Sequence, residues 1–236
     1  MFWWIIATLS AFFVKGLCGF ANTLVFTTLL SFGNQNIHIS PVELLLGYPT
    51  NLIIAIKERK SIQWSMCIPL AVLVIAGCIP GAFFLKTIDT HIIKKVFGIV
   101  IVLIGFEMFL REFQQKKEKE SKILLALIGI LSGILCGLFG IGALLGAYIN
   151  RVTSDSSAFK ANICVVFLVE NTFRIILYSV WGILTFDAFR QVLMLAPFML
   201  AGLILGILSG KVMKETIVQK LVIVLLIVSG AALLVQ

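Results

Sequence analysis

Apolar residues run through this chain in long blocks separated by short polar clusters. A helix needs about 20 apolar residues to cross a bilayer, and most of the blocks have that length. Residues 2–32 exceed it and are divided near the middle by Lys15 and Gly16. The polar run Gly33-Asn34-Gln35-Asn36 precedes a short segment at 41–56, which contains Pro49 and Asn51 and ends at Lys57-Glu58-Arg59-Lys60. Segments at 64–85 and 92–110 follow. Residues 111–122 are the most polar stretch and predict a solvated linker, since nothing in them can remain in hydrocarbon. The same order then recurs: a long glycine-rich block at 123–149 and segments at 163–184, 188–210 and 217–235. The pattern predicts an all-α polytopic membrane protein with two homologous four-segment repeats. The first repeat is 1–110, the charged cytoplasmic linker 111–122, and the second repeat 123–236.

Individual residues support the duplication. A shift of 121 aligns Gly16, Leu17 and Gly19 with Gly137, Leu138 and Gly140, and a shift of 120 aligns Asn51 with Asn171. A shift of 125 aligns Gly77 and Gly81 with Gly202 and Gly206. Glycine inside a helix costs about 1 kcal/mol relative to alanine, so paired glycines at matched places predict that the first segment of each repeat is broken or re-entrant. Close helix packing through small residues explains the same glycines without any break. Internal duplication of this kind marks secondary transporters.

Basic residues choose between two topologies. With eight straight crossings, the Lys and Arg residues outside the segments divide nine against eight between the two sides. If the first segment of each repeat instead turns back at its glycines, three crossings remain per repeat and the repeats become inverted. Only Lys86, Lys94, Lys95 and Arg190 then lie on the poor side, against thirteen on the other. The positive-inside rule favours this second arrangement, with the linker cytoplasmic and both termini outside.

Composition agrees with a membrane protein: 60% of residues are hydrophobic, 13% are charged, and mean hydropathy is +1.10, too little polar character to clothe a soluble chain of this size. Met1 to Ile5 carry no basic run, so the first segment is expected to stay in the mature protein rather than be cleaved as a signal peptide. The net charge of +8 is what cytoplasmic loops supply and requires no nucleic acid. Cys18, Cys67, Cys78, Cys136 and Cys164 fall in or beside apolar segments without a CxxC pair, which predicts small buried side chains. His38 and His91 lie far apart in expected loops, so no metal and no cofactor is expected.

Three stretches of the second repeat resemble the TauE/SafE, or sulfite exporter, family: Leu131 to Gly142 with its Gly137-Leu138-Phe139-Gly140-Ile141-Gly142 run, Ser157 to Ala161, and Phe167 to Tyr178. Lys15-Gly16-Leu17-Cys18-Gly19-Phe20 is similar to the same pattern in weaker form. The resemblance implies a transporter for sulfite, thiosulfate, organosulfonates or related small anions. Family members often continue the glycine run with further glycine and then proline, whereas Ala143-Leu144-Leu145-Gly146 follows here.

The candidate substrate-binding residues are Lys15, Gly16, Gly19, Asn51, Gly137, Gly140, Gly142, Asn171 and Arg174, with Glu170 as proton-coupling residue. Backbone amides freed at a helix break, together with the positive end of the following half-helix, suit an oxyanion. Two such ends facing each other near the midplane would form a site. Lys15 lies deep in an apolar block at a cost of at least ~2.5 kcal/mol if central; it either faces a polar cavity or snorkels to an interface. Glu170, Arg174 and Tyr178 recur every four residues and share a helix face. Arg174 suits bidentate anion binding, although a self-neutralising Glu170–Arg174 pair explains the same spacing. Asn51 and Asn171 suit amide contacts to substrate or interhelical bonding equally. Glu43 and Glu107 lie near segment ends and are expected at the interface.

The reading that unites these features is a secondary transporter of a bacterial-type plasma membrane, working by alternating access on small oxyanions. Its partners are the anion, membrane lipid and, for a homodimer, a second copy of the chain. A passive anion channel and a membrane-embedded enzyme using a cysteine are the alternatives. No Ser/His/Asp, Cys/His or metal-ligand set falls within a polar segment to favour the enzyme. A variant with all five cysteines replaced is expected to retain wild-type anion uptake in proteoliposomes; loss of uptake that restoring a single cysteine repairs would point to thiol chemistry.

Overall fold

The computed structural model of the chain describes residues 1–31, 34–87, 122–140, 142–153 and 155–212, with single positions among 95–106 and 220–231. Among the described residues there are eight α-helices, one 3-10 turn and no strand. The charged linker except Lys122, and most of the last segment of each half, including Glu107, lie outside them.

The first long block is broken. Helix α1 (Phe2–Cys18) ends at Gly19, whose φ of 86° places it in the left-handed region, and the Gly19 N–H closes the last turn on the Lys15 carbonyl at 2.7 Å. Helix α2 (Asn22–Ser31) then runs back beside α1: Trp3 Nε1 donates to the Leu29 carbonyl at 2.7 Å, and the Trp4 and Phe26 rings meet edge-on at 5.8 Å. At about 1.5 Å per residue, a ten-residue α2 reaches only about half-way across a hydrocarbon core.

The block at 123–149 is broken in the same way. Helix α5 (Lys122–Phe139) ends at Gly140, φ 71°, whose N–H bonds the Cys136 carbonyl at 2.7 Å. Helix α6 (Ala143–Val152) resumes after Gly142.

Four longer helices follow these breaks. They are α3 (Asn36–Lys57), α4 (Trp64–Thr87), α7 (Ser156–Val180) and α8 (Phe186–Val212). Each is long and apolar enough to span a membrane. Exposed Ile68, Val72, Ile79 and Phe83 on α4, with Leu193, Ile204 and Leu208 on α8, are side chains that lipid would cover. Two of the helices begin earlier than the apolar pattern indicates. The Asp155 side chain accepts the Ala158 N–H at 2.8 Å and starts α7 ahead of position 163. By starting at Asn36, α3 places Glu43 two turns inside the helix, where it is 2% exposed. The expectation of an interfacial Glu43 is therefore corrected: its neighbours Pro41 and Ser40 belong to the helix and not to its approach.

Helices α3 and α7 form the centre and run antiparallel. Near one end Ser40 and Tyr178 hydroxyls are 3.1 Å apart, and at the other the Gln63 N–H donates to Asn162 Oδ1 at 2.7 Å. Each broken block packs on a long helix of the other half: α1 lies parallel to α8, and α5 parallel to α4. Glycines set both contacts. A Cβ on Gly16 would stand 2.8 Å from the Gly206 Cα and 2.5 Å from the Leu203 carbonyl; one on Gly137 would stand 3.0 Å from Gly81 and 2.5 Å from the Cys78 carbonyl. The two roles that the sequence leaves open are thus divided within each motif: Gly16 and Gly137 admit a neighbouring backbone, while Gly19 and Gly140 end the helix.

A methyl group at Gly206 would collide with the Phe13 carbonyl, whereas one at Gly210 would make ordinary contact, 3.4 Å from the Leu17 carbonyl. Gly206→Ala is expected to destabilise the protein by about 1–3 kcal/mol and to lower its melting temperature in detergent, with Gly210→Ala near wild type. The fold-back of α2 is checked by single cysteines at positions 1 and 35 labelled from either face. Both should react from the same face, and reaction from opposite faces would mean that α1 and α2 together complete a crossing.

Candidate functional site

The antiparallel centre brings the two breaks together around buried charge. On α7, Glu170, Arg174 and Tyr178 line one face as their spacing predicts, and all are at most 1% exposed. A helix that ends inside the protein leaves carbonyls without intrahelical partners. At the end of α5 donors come from α7: Arg174 Nη1 donates at 2.6 Å to the Cys136 carbonyl, which also accepts the Gly140 N–H, and the Tyr178 hydroxyl donates to the Gly137 carbonyl at 3.0 Å. Arg174 Nη2 lies 3.4 Å from Asn171 Oδ1 and 3.5 Å from Glu43 Oε2. Its Nε faces Glu170 Oε1 at 3.6 Å without a hydrogen bond. The guanidinium also sits 5.7 Å from the centre of the Tyr178 ring.

The first break holds the other cation. Lys15 Nζ donates to Asn51 Oδ1 at 2.7 Å and to Asn22 Oδ1 at 3.1 Å. Lys15 is 1% exposed, so it does not snorkel. Asn22, the first residue of α2, turns its Nδ2 to Glu43 Oε1 at 2.6 Å, and Thr23 Oγ1 donates to the same oxygen at 2.5 Å. A continuous polar chain results: Asn51, Lys15, Asn22, Glu43, Arg174 and Glu170. Cys78 of α4 extends it, with Sγ 3.7 Å from Glu170 Oε1. Two cations and two carboxylates balance when all four are ionised.

Seven of the residues expected at the site, Lys15, Gly19, Asn51, Gly140, Glu170, Asn171 and Arg174, meet at this chain or at the breaks that frame it. Gly16 and Gly137 serve the helix contacts already described, although the Gly137 carbonyl also receives Tyr178. Gly142 lies against the Phe167 ring, where a Cβ would collide with its edge. All five cysteines are free and buried, as their apolar surroundings predict.

Glu43, whose place near a segment end suggests the interface, joins the site, and so do Asn22, Thr23 and Ser40, which no pattern in the sequence singles out. For Glu43 the sequence does hold a signal: Glu43, Gly47 and Asn51 recur every four residues, which places the acid on the face of Asn51. Asn22 and Thr23 are signalled only by following the Gly19 break.

A family model described as Sulfite exporter TauE/SafE matches residues 4–233, nearly the whole chain. The chain belongs to the sulfite exporter TauE/SafE family. No curated protein and no solved structure matches it. Within a TauE/SafE member, the buried chain of charge lies inside an integral membrane protein whose described helices include four candidate spans, a setting where ionisable groups are costly and mark ion or substrate routes.

A charged hydrogen bond contributes about 1.5–3 kcal/mol, and a buried partner left alone forfeits it. Asn51→Leu removes the closer acceptor of Lys15 and is expected to destabilise by that amount. In the Lys15→Met/Asn51→Leu double variant the loss should fall well short of the sum of the single losses, as a double-mutant cycle of detergent unfolding would measure; additive losses would uncouple the two residues.

Proposed function

We propose that this chain is a secondary transporter that carries small oxyanions, with sulfite, thiosulfate and organosulfonates as its first candidates, across a bacterial-type plasma membrane by alternating access. The observation that carries the reading is the enclosed Arg174, held by the end of one helix break and linked through Glu43 to the other. A guanidinium with planar, fixed donors suits the oxygens of a small anion, and the family membership supports sulfur oxyanions among the candidates.

The antiparallel α3 and α7, the return of α2 along α1, and the matched pairs Gly16–Gly206 and Gly137–Gly81 support inverted repeats. Eight straight crossings would make α3 and α7 parallel. Inverted repeats offer the usual basis for alternating access, because the two halves can exchange conformations around a fixed site.

Arg174 supplies the attraction for the anion, while Glu170, four residues away on the same helix, opposes it as long as its carboxylate is charged. A proton on Glu170 removes that repulsion and frees Nε, which has no hydrogen bond of its own. Proton and anion then bind together, and loss of the proton expels the anion.

Anion binding therefore strengthens as pH falls and Glu170 becomes neutral. Glu170→Gln is expected to hold sulfite binding at its low-pH affinity across the pH range and to abolish the pH dependence of sulfite uptake into proteoliposomes. A pH dependence unchanged from wild type would remove Glu170 from the coupling. Arg174→Lys retains charge but loses the fork and should weaken sulfite binding by about tenfold or more, or about 1.4 kcal/mol; full affinity in that variant would reject Arg174 as the anion ligand.

A further inference from the structure

Glu43 takes no part in the coupling just described, and its position between the two breaks is unusual. Its Oε1 receives the Asn22 amide and the Thr23 hydroxyl, both in the first turn of α2. Its Oε2 points to Arg174 and to the second break, where a Cβ on Gly140 would lie 2.9 Å from that oxygen. On α3 itself, a Cβ at Gly47 would come 3.2 Å from Oε1. Two glycines thus wall the carboxylate, while a side-chain amide, a hydroxyl and a guanidinium surround its oxygens. Asn22, Thr23 and Arg174 are 4%, 8% and 1% exposed. Such a donor set recognises small oxyanions whatever their source.

We propose that the Glu43 carboxylate is a tethered occupant of the anion site, and that a transported oxyanion takes over its donors when the side chain swings out. This rests on the oxyanion-transport reading and gives it a location: the space bounded by Asn22, Thr23, Gly47, Gly140 and Arg174. The pair with Arg174 is suited to exchange, because 3.5 Å is longer than the 2.7–2.9 Å of a tight charge-assisted bond. The resident carboxylate keeps the cations neutralised while no substrate is bound. It also lowers the apparent affinity for substrate by the fraction of molecules in which it is displaced. A free carboxylate no larger than the one removed, such as formate, fits the vacated cradle once Glu43 is truncated.

The test uses the full-length protein purified in detergent, with formate and sulfite as probes. Formate is expected to raise the melting temperature of Glu43→Ala by about 4 °C or more and to leave wild type and Glu43→Gln unmoved, since glutamine keeps the cradle filled. Equal formate shifts in all three proteins, or none in a monodisperse Glu43→Ala, would overturn the proposal. Should Glu43→Ala not fold, Glu43→Asp serves instead. Its shorter carboxylate withdraws from Asn22 and Thr23, so sulfite should bind about tenfold tighter than to wild type, and an equal or weaker affinity would overturn the assignment. Formate rescue in a protein that neither binds nor moves sulfite or thiosulfate would keep the cradle and reject the transport reading. Sulfite transport without formate rescue would do the reverse.

Discussion

A guanidinium that is 1% exposed inside an apolar protein must find acceptors on every side, because an unmatched buried charge costs several kcal/mol. Around Arg174 the acceptors come from its own helix and from two distant parts of the chain: an amide oxygen and a carboxylate on α7, a carbonyl at the end of α5, and a carboxylate on α3. None of them alone would hold the charge in place. Meeting that requirement fixes where α5 stops, how α3 crosses α7, and why α2 must present Asn22 and Thr23 to Glu43. The interruption of both broken blocks and the buried charge are therefore one constraint: one break ends α5 beside Arg174, and the other lets α2 begin with side chains that bond Lys15 and Glu43.

The helix ends give this arrangement a polarity that differs from the expectation of two positive half-helix ends turned toward an anion. At the second break the backbone group that receives Arg174 is the Cys136 carbonyl, at the negative end of α5. At the first, the start of α2 faces a carboxylate. Cation meets carbonyl at one break and acid meets helix N-terminus at the other, so the two breaks are complementary. That unlikeness follows from Lys15 standing in α1 where α5 has Cys136, and from Arg174 standing in α7 where α3 has Ile54.

Much of the fold was legible in residue order. Block lengths gave the long helices, glycine spacing gave both interruptions, and the four-residue repeat of Glu170, Arg174 and Tyr178 placed them on one face. Helix starts were less legible, since a polar first turn such as Asn36 to Ser40 looks like loop until tertiary contacts bury it. Glu43 was misread for that reason. The division of labour between Gly16 and Gly19 was hidden as well: the residue that admits a neighbouring backbone differs from the one that takes a positive φ only through what packs against it, and α8 lies far away in sequence.

The glycine contacts join α1 to α8 and α5 to α4, so the tightly packed units of this molecule do not coincide with its two sequence halves. Each unit borrows its broken hairpin from one half and its long supporting helix from the other. During synthesis α1 emerges with nothing to cover Gly16 until α8 is made, while α4 waits a shorter time for α5. Among the described helices the last-made long one thereby locks the first, and the contact between them closes only when α8 arrives.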